Sequence, residues 1–98
     1  MNYVVMFEDD DNFAPMREQH MSEHLQFLQE NVDAIQSAGP LLNAGTGEPA
    51  GGMWMVTADN ADYVQQLIEK DPFWPTGLRK SVTVLVWNQV FANGERLR

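Results

Sequence analysis

Few side chains in this 98-residue chain have the chemistry for catalysis. There is no cysteine, hence no thiol nucleophile, no disulfide framework and no thiolate metal site. No G-x-S-x-G motif offers an activated serine. What remains is a pair of histidines, His20 and His24, with Arg17 beside them, and a set of carboxylates. On one helix, residues four apart share a face. At about 100° per residue, His24 falls about 60° from the middle of the apolar seam Met21, Leu25, Leu28, Val32, Ile35, His20 about 100°, and Arg17 about 40° on the same side. An imidazole at the edge of a core can exchange protons near neutral pH. It can equally be a half-buried side chain satisfied by hydrogen bonds. The same pair could ligate a metal, but no third ligand is evident and H-E-x-x-H is absent, so no metal site is expected.

Asp71 stands out among the acids. It ends a helical pattern, precedes Pro72 and opens the aromatic loop Phe73-Trp74-Pro75-Thr76-Gly77-Leu78. As a turn residue, its carboxylate would accept from nearby backbone amides. As a functional group, it would stand at the sheet edge beside an apolar pocket walled by Phe73 and Trp74. Periodicity does not decide between these, and it does not bring Asp71 to a histidine. The run Glu8-Asp9-Asp10-Asp11 lacks the spacing of a calcium loop and reads as a solvated turn. The Gly-rich stretch Gly45 to Gly52 precedes a strand and not a helix, so it fails as a phosphate cradle. With no Walker or dinucleotide fingerprint either, no cofactor is expected.

The elements that must position these groups follow from pattern. Tyr3 to Phe7 is a strand. A helix capped by Asn12, with Pro15 in its first turn, is expected to run to about Ser37 and to be stopped by Gly39 and Pro40. Leu41 to Ala44 is a short second strand, Gly45 to Gly52 a hairpin connection, and Met53 to Thr57 a third strand. Asp59 or Asn60 caps a helix from Ala61 to about Lys70, with Tyr63, Val64, Leu67 and Ile68 inward. Asp71-Pro72 ends it. Ser81 to Phe91 is the longest strand, and residues 93–98 form a polar tail. The order β-α-β-β-α-β is ferredoxin-like: an α+β fold with a four-stranded antiparallel sheet and both helices on one face.

Those strands are apolar on both faces. Val82, Val84, Val86 and Val90 oppose Thr83, Leu85, Trp87 and Phe91; Met53 and Met55 oppose Trp54 and Val56. A sheet with one wet face should alternate cleanly. Two helices cover only one side, so a second copy packed sheet against sheet is expected. The length supports one domain, residues 1–98, and the 44% hydrophobic content is that of a globular protein. A net charge of −8, from 6 Lys+Arg and 14 Asp+Glu, repels phosphate backbones and anionic lipid, so neither nucleic acid nor membrane is an expected partner. The N-terminus lacks a signal-peptide pattern, and no stretch reaches the ~20 apolar residues of a membrane span. The absence of cysteine fits a reducing cytoplasm, the expected location.

The chain resembles the YCII-related family from Tyr3 to Phe91. The resemblance is carried by Arg17, by His24-Leu25 followed by Phe27-Leu28, by Ile35-Gln36-Ser37-Ala38-Gly39-Pro40-Leu41-Leu42, by the Met53 to Val56 strand, by Asp71-Pro72-Phe73 with Gly77-Leu78, and by Ser81-Val82-Thr83-Val84 with Trp87 and Gln89-Val90-Phe91. The order and spacing of these pieces carry the match. The family typically has an arginine three residues before its histidine, where this chain has Met21; Arg17 has that spacing to His20 instead. The resemblance implies a dimeric α+β barrel and a His–Asp pair, which falls on His24 and Asp71. Arg17, His20, Phe73 and Trp74 are the expected ligand contacts. Some members of the family act on small cyclic compounds, including elimination of chloride from a chlorinated hydroxyhydroquinone. The function so implied is cofactor-free acid/base chemistry, isomerisation or elimination, on a small cyclic or aromatic compound. The alternative is a non-catalytic dimeric module that binds a small ligand.

Overall fold

The computed structural model describes residues 1–98. Strand β1 (Asn2–Asp9) is central. It pairs antiparallel with β3 (Pro49–Thr57) on one side and β4 (Arg79–Val86) on the other, and β2 (Ile35–Leu42) pairs antiparallel with the far edge of β3. The sheet order is therefore β2-β3-β1-β4, the antiparallel ferredoxin-like arrangement. Helices α1 (Pro15–Gln19) and α2 (Met21–Glu30) follow β1, and α3 (Ala61–Lys70) follows β3. No helix is long and apolar enough to cross a membrane.

Alternation along the strands builds the core. Tyr3, Val5 and Phe7 from β1 and Trp54 and Val56 from β3 point inward and are buried. Phe27 of α2 and Val64, Leu67 and Ile68 of α3 close over them. Asn60 caps α3 as expected, its side chain accepting from the Tyr63 amide at 2.9 Å. Tyr63 itself, expected inward, is exposed.

The first helical region differs most from expectation. Pro15 does open a helix, but Asp10 caps a preceding 3-10 turn at Asp11–Phe13, and the helix breaks at His20. It ends at Glu30, not near Ser37. Asn31 terminates it: its side-chain amide donates to the Phe27 carbonyl at 2.8 Å, and its own carbonyl accepts from Ile35 N, turning the chain. Ile35 to Pro40 is strand. Pro40 is tolerated there because β2 is an edge strand, where a missing N–H breaks no ladder. With the helix shortened, the five-residue seam dissolves. Leu25 and Val32 are exposed, and the buried residues of α2 are His24 and Phe27.

The last strand is also shorter than expected and ends at Val86. The expected tail instead forms a small hairpin, β5 (Phe91–Ala92) with β6 (Glu95–Arg96). Asn93 and Gly94, both at positive φ, make its turn, the geometry Asn-Gly favours.

Candidate active site

Asp71 is the C-cap of α3 and extended, as a residue before proline must be. Its Oδ1 accepts from the Phe73 amide at 3.1 Å, the Asx turn that one reading required. The same Oδ1 lies 2.8 Å from His24 Nδ1, and both side chains are buried. Asp71 is therefore both a turn residue and the partner of His24. Phe73, buried behind the turn, stacks on the imidazole with ring centroids 4.0 Å apart.

His24 lines a cavity of about 140 Å³. Helices α1 and α2 supply Arg17, Met21, Leu25 and Leu28 to its wall; β2 and β3 supply Ala38, Gly39, Pro40, Gly51, Gly52, Met53 and Trp54; Asp9, Phe73 and Arg79 complete it. The wall is mostly apolar with few convergent charges, the usual character of a small-molecule site. His24 Nδ1 is taken by Asp71, and Nε2 has no partner within the chain.

The residues expected to contact ligand divide. Arg17 and Phe73 line the cavity. Trp74 starts a 3-10 turn at the surface and does not. His20 occupies the junction of α1 and α2, with Nδ1 3.7 Å from Glu23 Oε2, and also lies outside the wall. The break at His20 takes it off the helix that carries His24.

Two charged residues of the cavity went unread in the sequence. Asp9, assigned to a solvated turn, is largely enclosed and binds two guanidiniums: Arg17 Nη2 donates to Oδ2 at 2.8 Å and Arg79 Nη1 to Oδ1 at 2.9 Å. The signal for Asp9 was present, since it continues the inward series Tyr3, Val5, Phe7 by the period of two. Arg79 had no such signal. Counting back from Val84 and Val82 points Lys80 inward; a register shift at Glu8/Asp9 instead sets Arg79 opposite Asp9. Lys80 is left outside in an exposed pair with Glu8.

No curated protein sequence matches the chain. The model of the YCII-related domain matches residues 1–88. Among solved structures, the chain is similar to 5-chloro-2-hydroxyhydroquinone dehydrochlorinase from Burkholderia phenoliruptrix AC1100, in complex with 2,5-dihydroxybenzoquinone, at 29% identity and a TM-score of 0.79 over 90% of this chain and 94% of that one. Two others are similar at lower levels. One is a protein from Arabidopsis thaliana, with 11% identity, a TM-score of 0.48, and 94% and 97% of the two chains covered. The other is a dimeric protein of unknown function and ferredoxin-like fold from Bacteroides fragilis, with 17% identity, a TM-score of 0.45, and 86% and 90% covered.

Proposed function

The chain belongs to the YCII-related domain family, and from that premise we propose that it is a cofactor-free enzyme in which His24 moves a proton on a small cyclic or aromatic compound. One observation carries the reading: the 2.8 Å contact of His24 Nδ1 with buried Asp71, on a ring that lines the cavity with Nε2 unengaged. A carboxylate that accepts from Nδ1–H leaves the Nε2 lone pair as the base. Oδ1 also accepts the Phe73 amide, so its position does not depend on the histidine. When Nε2 takes a proton, the imidazolium faces Asp71 directly.

Two reaction classes use such a base. In isomerisation, His24 takes the proton from one carbon and returns it to another. In elimination, the C–H electrons form the double bond, the leaving group departs with its bonding pair, and the proton passes to water. Neither needs an external oxidant or reductant. The 29% identical dehydrochlorinase, seen with a dihydroxybenzoquinone, supports elimination on an oxygenated ring. An apolar cavity of roughly 150 Å³ admits a benzene-sized molecule, and Trp54 and Phe73 provide flat walls.

The test is chloride release from 5-chloro-2-hydroxyhydroquinone, followed with a chloride electrode, together with exchange of substrate C–H in D₂O. The wild type should do one or both, and His24→Ala neither, with circular dichroism unchanged. Full turnover by His24→Ala ends the proposal. Tight binding of the ring without turnover or exchange favours the non-catalytic module.

The working unit in this proposal is a homodimer. Only 16 of 98 residues are buried, a thin core for an isolated chain. Across the sheet from the helices, Val4, Met6, Met53, Met55 and Leu85 remain partly or fully exposed on neighbouring strands. Both observations support a second copy packed on this face.

A further inference from the structure

We propose that Arg79 and Arg17 form an oxyanion subsite in the His24 cavity, so that it selects single planar rings bearing an ionised oxygen, a phenolate or enolate. The proposal deepens the acid/base reading and rests on it for the location of the reaction, whereas the binding claim stands on the arginines.

The placement of positive charge is the first observation. The chain carries −8 overall and has six cationic side chains; Lys70, Lys80, Arg96 and Arg98 are exposed, and the remaining two line this one cavity. A protein that repels anions over its surface thus concentrates guanidinium where its buried imidazole sits.

The second observation is that Arg79 keeps a donor to spare. Both guanidiniums share Asp9, one on each carboxylate oxygen. Asp71 is engaged through Oδ1 by His24 and Phe73, and its Oδ2 stays 3.9 Å from Arg79 Nη2, beyond hydrogen-bond length. The Arg79 side chain is only 8% exposed, and its Nε has no partner. It is fixed over the Phe7 ring at 4.0 Å and 5.2 Å from the centre of Phe73, the ring that stacks on His24. A desolvated guanidinium with donors to spare is poised for an anion.

The third is charge balance through the reaction. With His24 neutral, Asp9, Asp71, Arg17 and Arg79 sum to zero. Removing a proton from a bound ring creates one positive charge on His24 and one negative charge on ring oxygen. Asp71 answers the first, and the two arginines answer the second, from positions fixed before the reaction. Met21 occupies the helix position one turn before His24, so β4 and α1 must bring the cations.

The experiment uses 4-nitrophenol, whose phenolate absorbs in the visible, and nitrobenzene, the same ring without the oxygen, by equilibrium dialysis and absorption spectroscopy. The wild type should bind 4-nitrophenol as the phenolate and nitrobenzene more weakly. Arg17→Gln and Arg79→Lys should each weaken phenolate binding about 10- to 100-fold, the loss for a charge-assisted hydrogen bond, and leave nitrobenzene unchanged. If Arg79→Lys fails to fold, the more exposed Arg17 carries the test. His24→Asn should keep phenolate binding. Equal binding of both rings overturns the proposal. So does loss of the phenolate in His24→Asn with retention in the arginine variants, since the anion would then sit on the imidazole. Phenolate selectivity without any turnover would sink the acid/base reading and leave the subsite standing.

Discussion

The imidazole of His24 and the ring of Phe73 lie face to face, centroids 4.0 Å apart and planes 13° from parallel. The stack fixes the ring plane while Asp71 fixes its rotation, so two residues in one short turn orient one imidazole. Phe73→Leu keeps most of the buried apolar volume and the backbone amide that holds Asp71, but removes the flat surface. It should cost about 1 kcal/mol in urea unfolding, an aromatic pair's share. If His24 is the base, turnover should fall more than KM rises, because misorientation weakens the reacting geometry rather than ground-state binding. An unchanged kcat in Phe73→Leu would remove the stack from the catalytic account.

Asp71→Asn tests the tautomer. With the carboxylate in place, His24 carries its proton on Nδ1, and long-range ¹⁵N–¹H correlation spectra should show Nε2 as the unprotonated nitrogen. Asparagine offers an amide donor in the same place, which allows the ring to invert its protonation and lose the base at Nε2. The spectra should then report a mixed or reversed tautomer. Stability should fall by about 1–3 kcal/mol for the lost charge-assisted bond. An Nε2-protonated His24 in the wild type would contradict the assignment of the base.

How much of this was legible in the sequence depends on which physical signal each residue carried. The buried faces of β1 and β3 follow from alternation, as Val5 and Trp54 show, and that of α3 from helical spacing at Val64, Leu67 and Ile68, though not at Tyr63. The second strand was misread because Gly39 and Pro40 punctuate a helix as readily as they occupy an edge strand, and only the pairing of Pro40 with Gly52 decides. Asp9 is legible by alternation, although its acidic neighbours give the segment the look of a solvated turn. Arg79 was not legible, because a one-residue register shift reverses which of Arg79 and Lys80 faces inward. The meeting of His24 with Asp71 is a contact over 47 residues, and no local pattern encodes it.

Two cavity glycines should respond oppositely to alanine. Gly51 sits at φ +92°, and a Cβ there would stand 2.0 Å from the Phe7 carbonyl oxygen, in the ladder that holds β1 to β3. Relief requires the strands to part, so Gly51→Ala should cost about 3 kcal/mol or more. A Cβ on Gly39 would meet nothing within 4 Å. Gly39→Ala should stay within about 0.5 kcal/mol of the wild type. Thermal unfolding of the two variants checks both, and a stable Gly51→Ala would show that the strands yield there.

Leu85 lies near the end of β4 at 51% exposure, on the sheet face the helices leave open, and its register partner Val4 is only half-buried. In a two-fold dimer packed through this face, Leu85 occurs twice in one interface. Leu85→Asp then removes two apolar contacts and places two carboxylates where water is scarce, a loss of at least about 3 kcal/mol, or roughly a hundredfold in dissociation constant. Val32, 55% exposed in the turn after α2, is on the helical side, and Val32→Asp serves as the comparison. Sedimentation equilibrium at micromolar concentration should find the wild type and Val32→Asp dimeric and Leu85→Asp largely monomeric. The opposite pattern would move the interface to the helical side of the sheet. A monomeric wild type would overturn the dimer altogether and leave the open sheet face without a cover.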